Sequence, residues 1–301
     1  MEDEVYEKYK LAGKIASKAR EEGAKLIKPG VSLLKVANKI ESDIKKQGAG
    51  IAFPVNLSIN EIAAHYTPII DDKKIFKKGD VVKLDVGVHI DGYIADTAKT
   101  IEIGTKNYTD MIKASSDALD AAIEMMKPGI NLGEVGKKIE ETIQSYDYKP
   151  VDNLTGHSLE KYNLHSGISV PNINTKIGGI QPKEETVLAI EPFVTNGRGH
   201  INSNGNSNIY LSKKMIRARF VRDTRSKILH KKIKTKFNTL PFAQRWCKEI
   251  FPTNIDIILK RLTHLGLIQN YPQLKEQNNA IVTQKEHTVI LKENSCEVTT
   301  V

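Results

Sequence analysis

Cysteine is nearly absent from this chain: Cys247 and Cys296 are the only two in 301 residues. Far apart, they offer neither the paired spacing of a thiolate metal site nor a disulfide framework, so a reducing compartment is expected. No apolar run approaches the roughly 20 residues of a membrane span, so no membrane contact is expected. The opening Met1-Glu2-Asp3-Glu4 is acidic and runs into a charged helix, unlike a secretory leader. The expectation is therefore a cytoplasmic protein, monomeric by default, long enough for one large core or for one core with an insertion.

Acidic residues are missing from one window in particular. Between Lys213 and Lys236 stand eleven Lys/Arg and a single acid, Asp223, a local charge of +10 in a chain whose total is +9. A solvated basic face is one reading of residues 213–236. Contact with an acidic partner such as ribosomal RNA is the other. The window has neither interleaved aromatics nor an RNA-binding motif to decide between them.

What is present is organised around residues 81–96, Val-Val-Lys-Leu-Asp-Val-Gly-Val-His-Ile-Asp-Gly-Tyr-Ile-Ala-Asp. Two β-rich arms flank Asp91-Gly92, a dipeptide suited to a tight hairpin turn. Folding back brings Asp85 and Asp96 close to cross-strand opposition, with a one-residue bulge expected at the glycine to complete the match. Each aspartate interrupts an apolar arm. Two adjacent buried carboxylates repel, and a shared proton or a metal cation is the usual compensation. The hairpin alone leaves open whether it holds a metal or shows a solvated polar edge.

Before it, residues 4–27 read as an amphipathic helix, Lys28-Pro29-Gly30 breaks it, and Ser32 can cap a second helix bearing Leu33, Val36, Ile40 and Ile44 on one face. The pattern from Lys28 to Ile44 returns from Lys127 to Ile143, including the same Lys-Pro-Gly break. A duplication of two helices followed by strands explains it, with halves related by a pseudo-twofold and a site between them. Residues 196–208 are Asn/Gly-rich and read as a loop, Phe242–Ile250 and Ile255–Leu265 read as helical, and 209–271 reads as an insertion with a small helical or winged module. Strand signals resume at Ala280–Thr283 and Thr288–Leu291.

Three more polar residues interrupt apolar or turn contexts: His157 after Gly156, Glu191 before Pro192, and Glu286 before His287. Each alone is ordinary. Together with Asp85 and Asp96 they make four carboxylates and one imidazole, a set that two divalent cations would neutralise and that suits Mn, Fe, Co or Zn. Two such ions would polarise a carbonyl and activate water for hydrolysis.

In order and spacing, Asp85, Asp96, Gly156-His157, Glu191-Pro192 and Glu286-His287-Thr288 resemble the five metal ligands of the pita-bread metallopeptidases. The similarity is greatest to type 2 methionine aminopeptidases in their short archaeal form. Residues 53–68 resemble that family's signature before the first ligand, and Leu164-His165-Ser166-Gly167 its second-histidine motif. The resemblance implies an α+β pita-bread fold with antiparallel sheets covered by helices, a catalytic domain over 1–195 and 272–301, and a helical, winged-helix-like insertion over 196–271. It implies a dinuclear metalloexopeptidase that removes the N-terminal methionine of nascent proteins with small second residues, a metal-bridging hydroxide attacking the scissile carbonyl. Asp85, Asp96, His157, Glu191 and Glu286 would hold two divalent ions (Co, Mn, Fe or Zn), and Glu191 would take the proton from the attacking water. His65 and His165 would contact the scissile amide, and Phe53, Leu164, His165 and Tyr271 would line the methionine pocket. The heavy basic stretch and the Asn/Gly-rich segment depart from the family's usual pattern. An Xaa-Pro peptidase of the same fold, and a non-catalytic RNA- or ribosome-binding relative, are the alternatives.

Overall fold

Helix α1 (Asp3–Leu26) forms because Tyr9, Ala12, Ile15, Ala16 and Ala19 recur at helical spacing and are buried, while its charged residues mostly face out. A computed structural model describes residues 1–175, 181–213, 223–251 and 253–301. Residues 214–222 of the basic window lie outside the described residues. Helix α2 (Leu33–Lys46) starts where expected, with the Ser32 side chain accepting from Lys35 N at 3.4 Å. Both helices cover one sheet of β1 (Gly50–Ile59), β3 (Val81–Ile90) and β4 (Tyr93–Glu102), ordered β1-β3-β4, while the short β2 (Ile62–Ala64) leaves for another sheet. Leu33, Ile40, Leu57, Leu84 and Val86 share the core between the layers.

The second half repeats the plan. Helices α3 (Thr109–Met125) and α4 (Leu132–Gln144) follow, and Asn131 caps α4 by accepting from Gly133 N at 2.9 Å. Strands β5 (Lys149–Pro150), β6 (Thr155–Ser158), β7 (Ser169–Pro171), β8 (Val187–Ile190) and β9 (Phe193–Thr195) come next. Met111, Leu119, Ile139, Leu188 and Val289 belong to this half's core. Ser32 and Asn131 hold the same place in the repeat, and each N-cap satisfies an otherwise orphaned helix donor.

Strand β10 (Ile201–Ser212) corrects the expectation of a loop over 196–208. It pairs antiparallel with β12 (Ile268–Glu276), from Ile201 opposite Glu276 to Ser212 opposite Ile268. The asparagines fit because their side chains serve the backbone where the register shifts. Asn270 donates to Asn206 Oδ1 and Ile209 O, and Asn208 donates to Thr67 O. Between those strands lie α5 (Thr224–Phe237), β11 (Phe242–Ala243) and α6 (Ile255–His264). Residues 242–250 are not one helix: β11 pairs with β10, and a short 3-10 turn, Gln244–Glu249, follows. Leu229, Ile233, Phe242, Leu259 and Leu262 form a separate core there.

Strands β13 (Val282–Gln284), β14 (His287–Lys292) and β15 (Ser295–Val298) return to the second half, where β14 sits between β15 and β8. The chain thus has two helix-covered sheet layers, and β4 of the first meets β14 of the second. Among the described residues no helix is long and apolar enough to cross a membrane.

Candidate metal centre and its cavity

The hairpin β3–β4 turns at Asp91 and Gly92, with φ of 51° and 92°, and Ile90 faces Tyr93. Both turn residues are left-handed, as a two-residue type I′ turn demands. The register is regular, and the expected bulge is absent. Asp85 lies opposite Ala98 and Asp96 opposite Gly87, so the two aspartates are diagonal neighbours on one face. A tight two-residue turn fixes that register without an extra residue. Gly87 is needed between them: a Cβ there would stand 2.2 Å from the Phe53 ring, which lies across the strand beside the aspartates.

His157 sits in β6, Glu191 directly after β8, and Glu286 between β13 and β14. Strands from both halves therefore converge on one point. His157 Nε2 is 3.7 Å from Asp96 Oδ2 and 3.7 Å from Glu191 Oε1. These separations are long for hydrogen bonds, and they suit two ligands on one ion with bonds of about 2.0–2.2 Å. Asp96, His157 and Glu286 each offer an atom within 4.8 Å of the others. Among the described residues, Asp85 Oδ1, Asp96 Oδ1 and His157 Nδ1 are buried without a hydrogen-bond partner. Gln284 donates to Glu191 Oε2 at 3.1 Å and orients that carboxylate.

The electrostatics match. Burial raises Asp85 to about 7. Burial first, and then mutual repulsion, holds Asp96, Glu191 and Glu286 well above the ordinary carboxylate range. Burial and the neighbouring His165 lower His157 to about 3 and His65 to about 4, so both imidazoles are neutral and free to ligate or hydrogen-bond. Four carboxylates crowded around one cavity, with unpaired oxygens on Asp85 and Asp96, fit divalent cations, which would neutralise them.

One cavity of about 60 Å³ is lined by Phe53, His65, Leu164, His165 and Tyr271 together with Asp85, Asp96, His157, Glu191 and Glu286. Every site residue expected from the sequence thus lines this one cavity. The His65 and Tyr271 rings meet edge to face at 5.1 Å, and His157 and His165 lie 4.3 Å apart. His65 follows β2 with a left-handed φ of 62°, and its Nδ1 is buried without a partner. A non-glycine residue held there is strained, and its side chain lines the cavity. The cavity also includes Asn56, Ala64, Ile209 and Pro241. Asn56 carried a signal, a polar residue inside the apolar run 53–57, and it pairs directly with Asp85. Ala64, Ile209 and Pro241 carried none, because ordinary apolar residues reach the wall only through tertiary packing.

Residues 7–219 match the metallopeptidase family M24. A methionine aminopeptidase of Methanocaldococcus jannaschii is 47% identical over 300 residues, covering 100% of both chains. Among solved structures, a thermophilic Arx1 superposes with a TM-score of 0.87 at 17% identity, covering 99% of this chain and 91% of that one. A methionine aminopeptidase from Thermotoga maritima superposes at 0.70 and 24% identity, covering 100% and 98%. The likeness of fold extends to proteins of distant sequence, whereas the likeness of sequence is close and runs end to end. On that ground the chain belongs to the metallopeptidase family M24, with the pita-bread architecture its two repeated halves build.

Proposed function

We propose that this protein is a dinuclear-metal aminopeptidase that removes the N-terminal methionine from nascent polypeptides with small, uncharged second residues. The observation that carries the reading is the convergence of four carboxylates, those of Asp96 and Glu286 buried and those of Asp85 and Glu191 partly so, and a neutral imidazole on a cavity whose other walls are Phe53, Leu164 and Tyr271. Asp85, Asp96, His157, Glu191 and Glu286 would hold two ions of Mn, Fe, Co or Zn. When bound, the ions supply water activation and polarisation of the scissile carbonyl. Glu191, held by Gln284, accepts the proton of the attacking water and passes it to the leaving amine. The neutral rings of His65 and His165 hydrogen-bond the scissile amide and the oxyanion that develops from its carbonyl. Phe53, Leu164 and Tyr271 form the apolar slot for an unbranched thioether, and limited room excludes bulky neighbours.

Residues 196–271 act, on this reading, as an inserted subdomain around its own apolar core, contributing Ile209 and Pro241 to the slot. The substrate places the enzyme in the cytoplasm, and a monomer is the default. A contact of the basic stretch 213–236 with ribosomal RNA belongs to this proposal, supported by the stretch's charge of +10.

The test is release of free methionine from Met-Ala-Ser and Met-Gly-Met-Met after chelation and re-addition of Mn, Fe, Co or Zn. Metal-restored cleavage is expected, lost in Asp96→Asn and weakened in His65→Ala. Cleavage of Xaa-Pro peptides instead moves the assignment to the prolidase branch. No hydrolysis with any metal refutes the enzyme and leaves the RNA-binding alternative.

A further inference from the structure

Behind the carboxylates, on the side away from the cavity, lies a buried polar seam with no part in the chemistry described so far. Arg20 of α1 is 4% exposed, deep beneath the helix. Its Nη1 donates to Thr97 Oγ1 and, at 3.1 Å, to the carbonyl of Thr300. Thr97 Oγ1 in turn donates to the carbonyl of Glu286 at 2.8 Å. Thr288 Oγ1 lies 2.8 Å from both Asp96 N and Asp96 O, accepting from the first and donating to the second. Thr300 Oγ1 accepts from Thr288 N at 3.1 Å and lies 2.8 Å from His287 Nδ1. Thr299 N donates to Thr288 O at 2.9 Å. Thr97, Thr288 and Thr300 are fully buried.

We infer that Arg20 and Thr300 are positioning residues for the metal centre: they clamp the backbones of Asp96 and Glu286, which come from opposite halves of the molecule, at a fixed separation. The inference rests on the reading that these carboxylates hold metal. Asp96 belongs to β4 and Glu286 precedes β14. β4 meets the residues leading into β14 through the isolated bridge of Lys99 with Lys285, with Glu286 N donating to Ala98 O at 3.1 Å. Threonine hydroxyls supply the remaining cross-links at residues 96, 97, 286 and 288. The segment 299–300 is seated too closely for a casual contact. A Cβ on Gly13 of α1 would stand 2.1 Å from the Thr299 carbonyl oxygen, so only glycine admits it there. Ligand atoms must be held within a few tenths of an ångström to favour a bound ion, and partners behind the ligands do that holding.

The test uses Thr300→Val, which keeps the shape and removes the hydroxyl, Arg20→Met, and Thr300→Ser as the conservative control. Mn(II) affinity is measured by calorimetry on the metal-stripped full chain, and the visible spectrum of the Co(II)-loaded protein is recorded. Folding is checked by thermal melting of the stripped forms. The expected result is a loss of Mn(II) affinity of about 10–100-fold for Thr300→Val and Arg20→Met. The Co(II) bands should shift in both, and Thr300→Ser should restore affinity and spectrum. Unchanged affinity and spectrum in a folded Thr300→Val would overturn the clamp while leaving the metal reading intact. Failure of the wild type to bind Mn(II) or Co(II) would overturn both. If Arg20→Met does not fold, Thr300→Val decides alone.

Discussion

Asp85 shows how much of this protein's behaviour is set by single side chains. Its carboxyl is raised to about 7 by burial, and those of Asp96, Glu191 and Glu286 are held well above the ordinary carboxylate range by burial and then by neighbouring carboxylates. Unfolded, all four ionise near the ordinary carboxylate range of about 4. A raised folded value means that the stability these groups contribute is complete below that range and is lost as pH rises through the folded values. For Asp85 the window runs from near 4 to about 7. Metal-stripped protein should therefore melt at a lower temperature at pH 8 than at pH 5.5. Mn(II) should raise the melting temperature more at pH 8, where the carboxylates are ready to bind. Calorimetric scans with and without metal at both pH values check this; an equal metal-induced shift at the two would contradict it. Gly87 makes a second residue-level case. Gly87→Ala drives a methyl into the Phe53 ring. Overpacking of this kind costs about 1–3 kcal/mol. Displacement of that ring should also raise the KM for Met-Ala-Ser more than it lowers kcat, read from steady-state kinetics beside a urea melt.

At the scale of elements, the helices of the two repeats and the hairpin were legible because each carries its own periodicity and punctuation, whereas α5 was read only as a basic stretch. The break at Lys28-Pro29-Gly30, the cap at Ser32 and the turn at Asp91-Gly92 all state local rules the chain obeys. Strand β10 was not legible. Asparagine and glycine argue for a loop, and the strand exists only because β12, some sixty residues further on, supplies its pairing. Residues 242–250 failed for the same reason, since β11 is a strand by virtue of β10. The proposed ligands stood out as polar residues in apolar or turn contexts. Their partners Gln284, Thr97 and Arg20 did not, because a buried hydrogen bond leaves no pattern along the chain. A further tie of this hidden kind joins the insertion to α2. Arg245 is ion-paired with Glu41, both are buried, and Trp246 Nε1 donates to the other Glu41 oxygen at 2.8 Å. Arg245 also donates to Thr67 Oγ1 and to Pro68 O, just after His65. Removing one partner of such a pair strands the other charge at a cost of about 3–5 kcal/mol. Arg245→Met should lose that much in a denaturant melt, and Glu41→Gln, which keeps an acceptor, should lose less. A double variant no worse than Arg245→Met would establish the coupling.

At the scale of the whole molecule, charge and chemistry are separated. The proposed active cavity is lined by four carboxylates, while the positive charge is concentrated in residues 213–236, in a chain otherwise near neutral. On α5, Lys227, Lys231, Lys232 and Lys234 are exposed, and Lys231 and Lys232 flank a groove with Ile228 and Ile250. None of these lines the catalytic cavity. A surface placed this way can dock the enzyme on a polyanion without obstructing entry of a peptide end. It would also raise the encounter rate with chains emerging near that polyanion. If the polyanion is ribosomal RNA, binding must weaken steeply with salt, because each neutralised phosphate releases a counterion. Co-sedimentation with ribosomes across a salt series should therefore give a linear log–log fall. Changing all four lysines to alanine should flatten its slope by roughly 0.7–0.9 for each phosphate that is no longer neutralised. Hydrolysis of Met-Ala-Ser by the same variant should be unchanged, since small peptides reach the cavity without the docking surface. A slope unaffected by the substitutions would return α5 to the role of a solvated face, and the separation of charge from chemistry would then serve solubility alone.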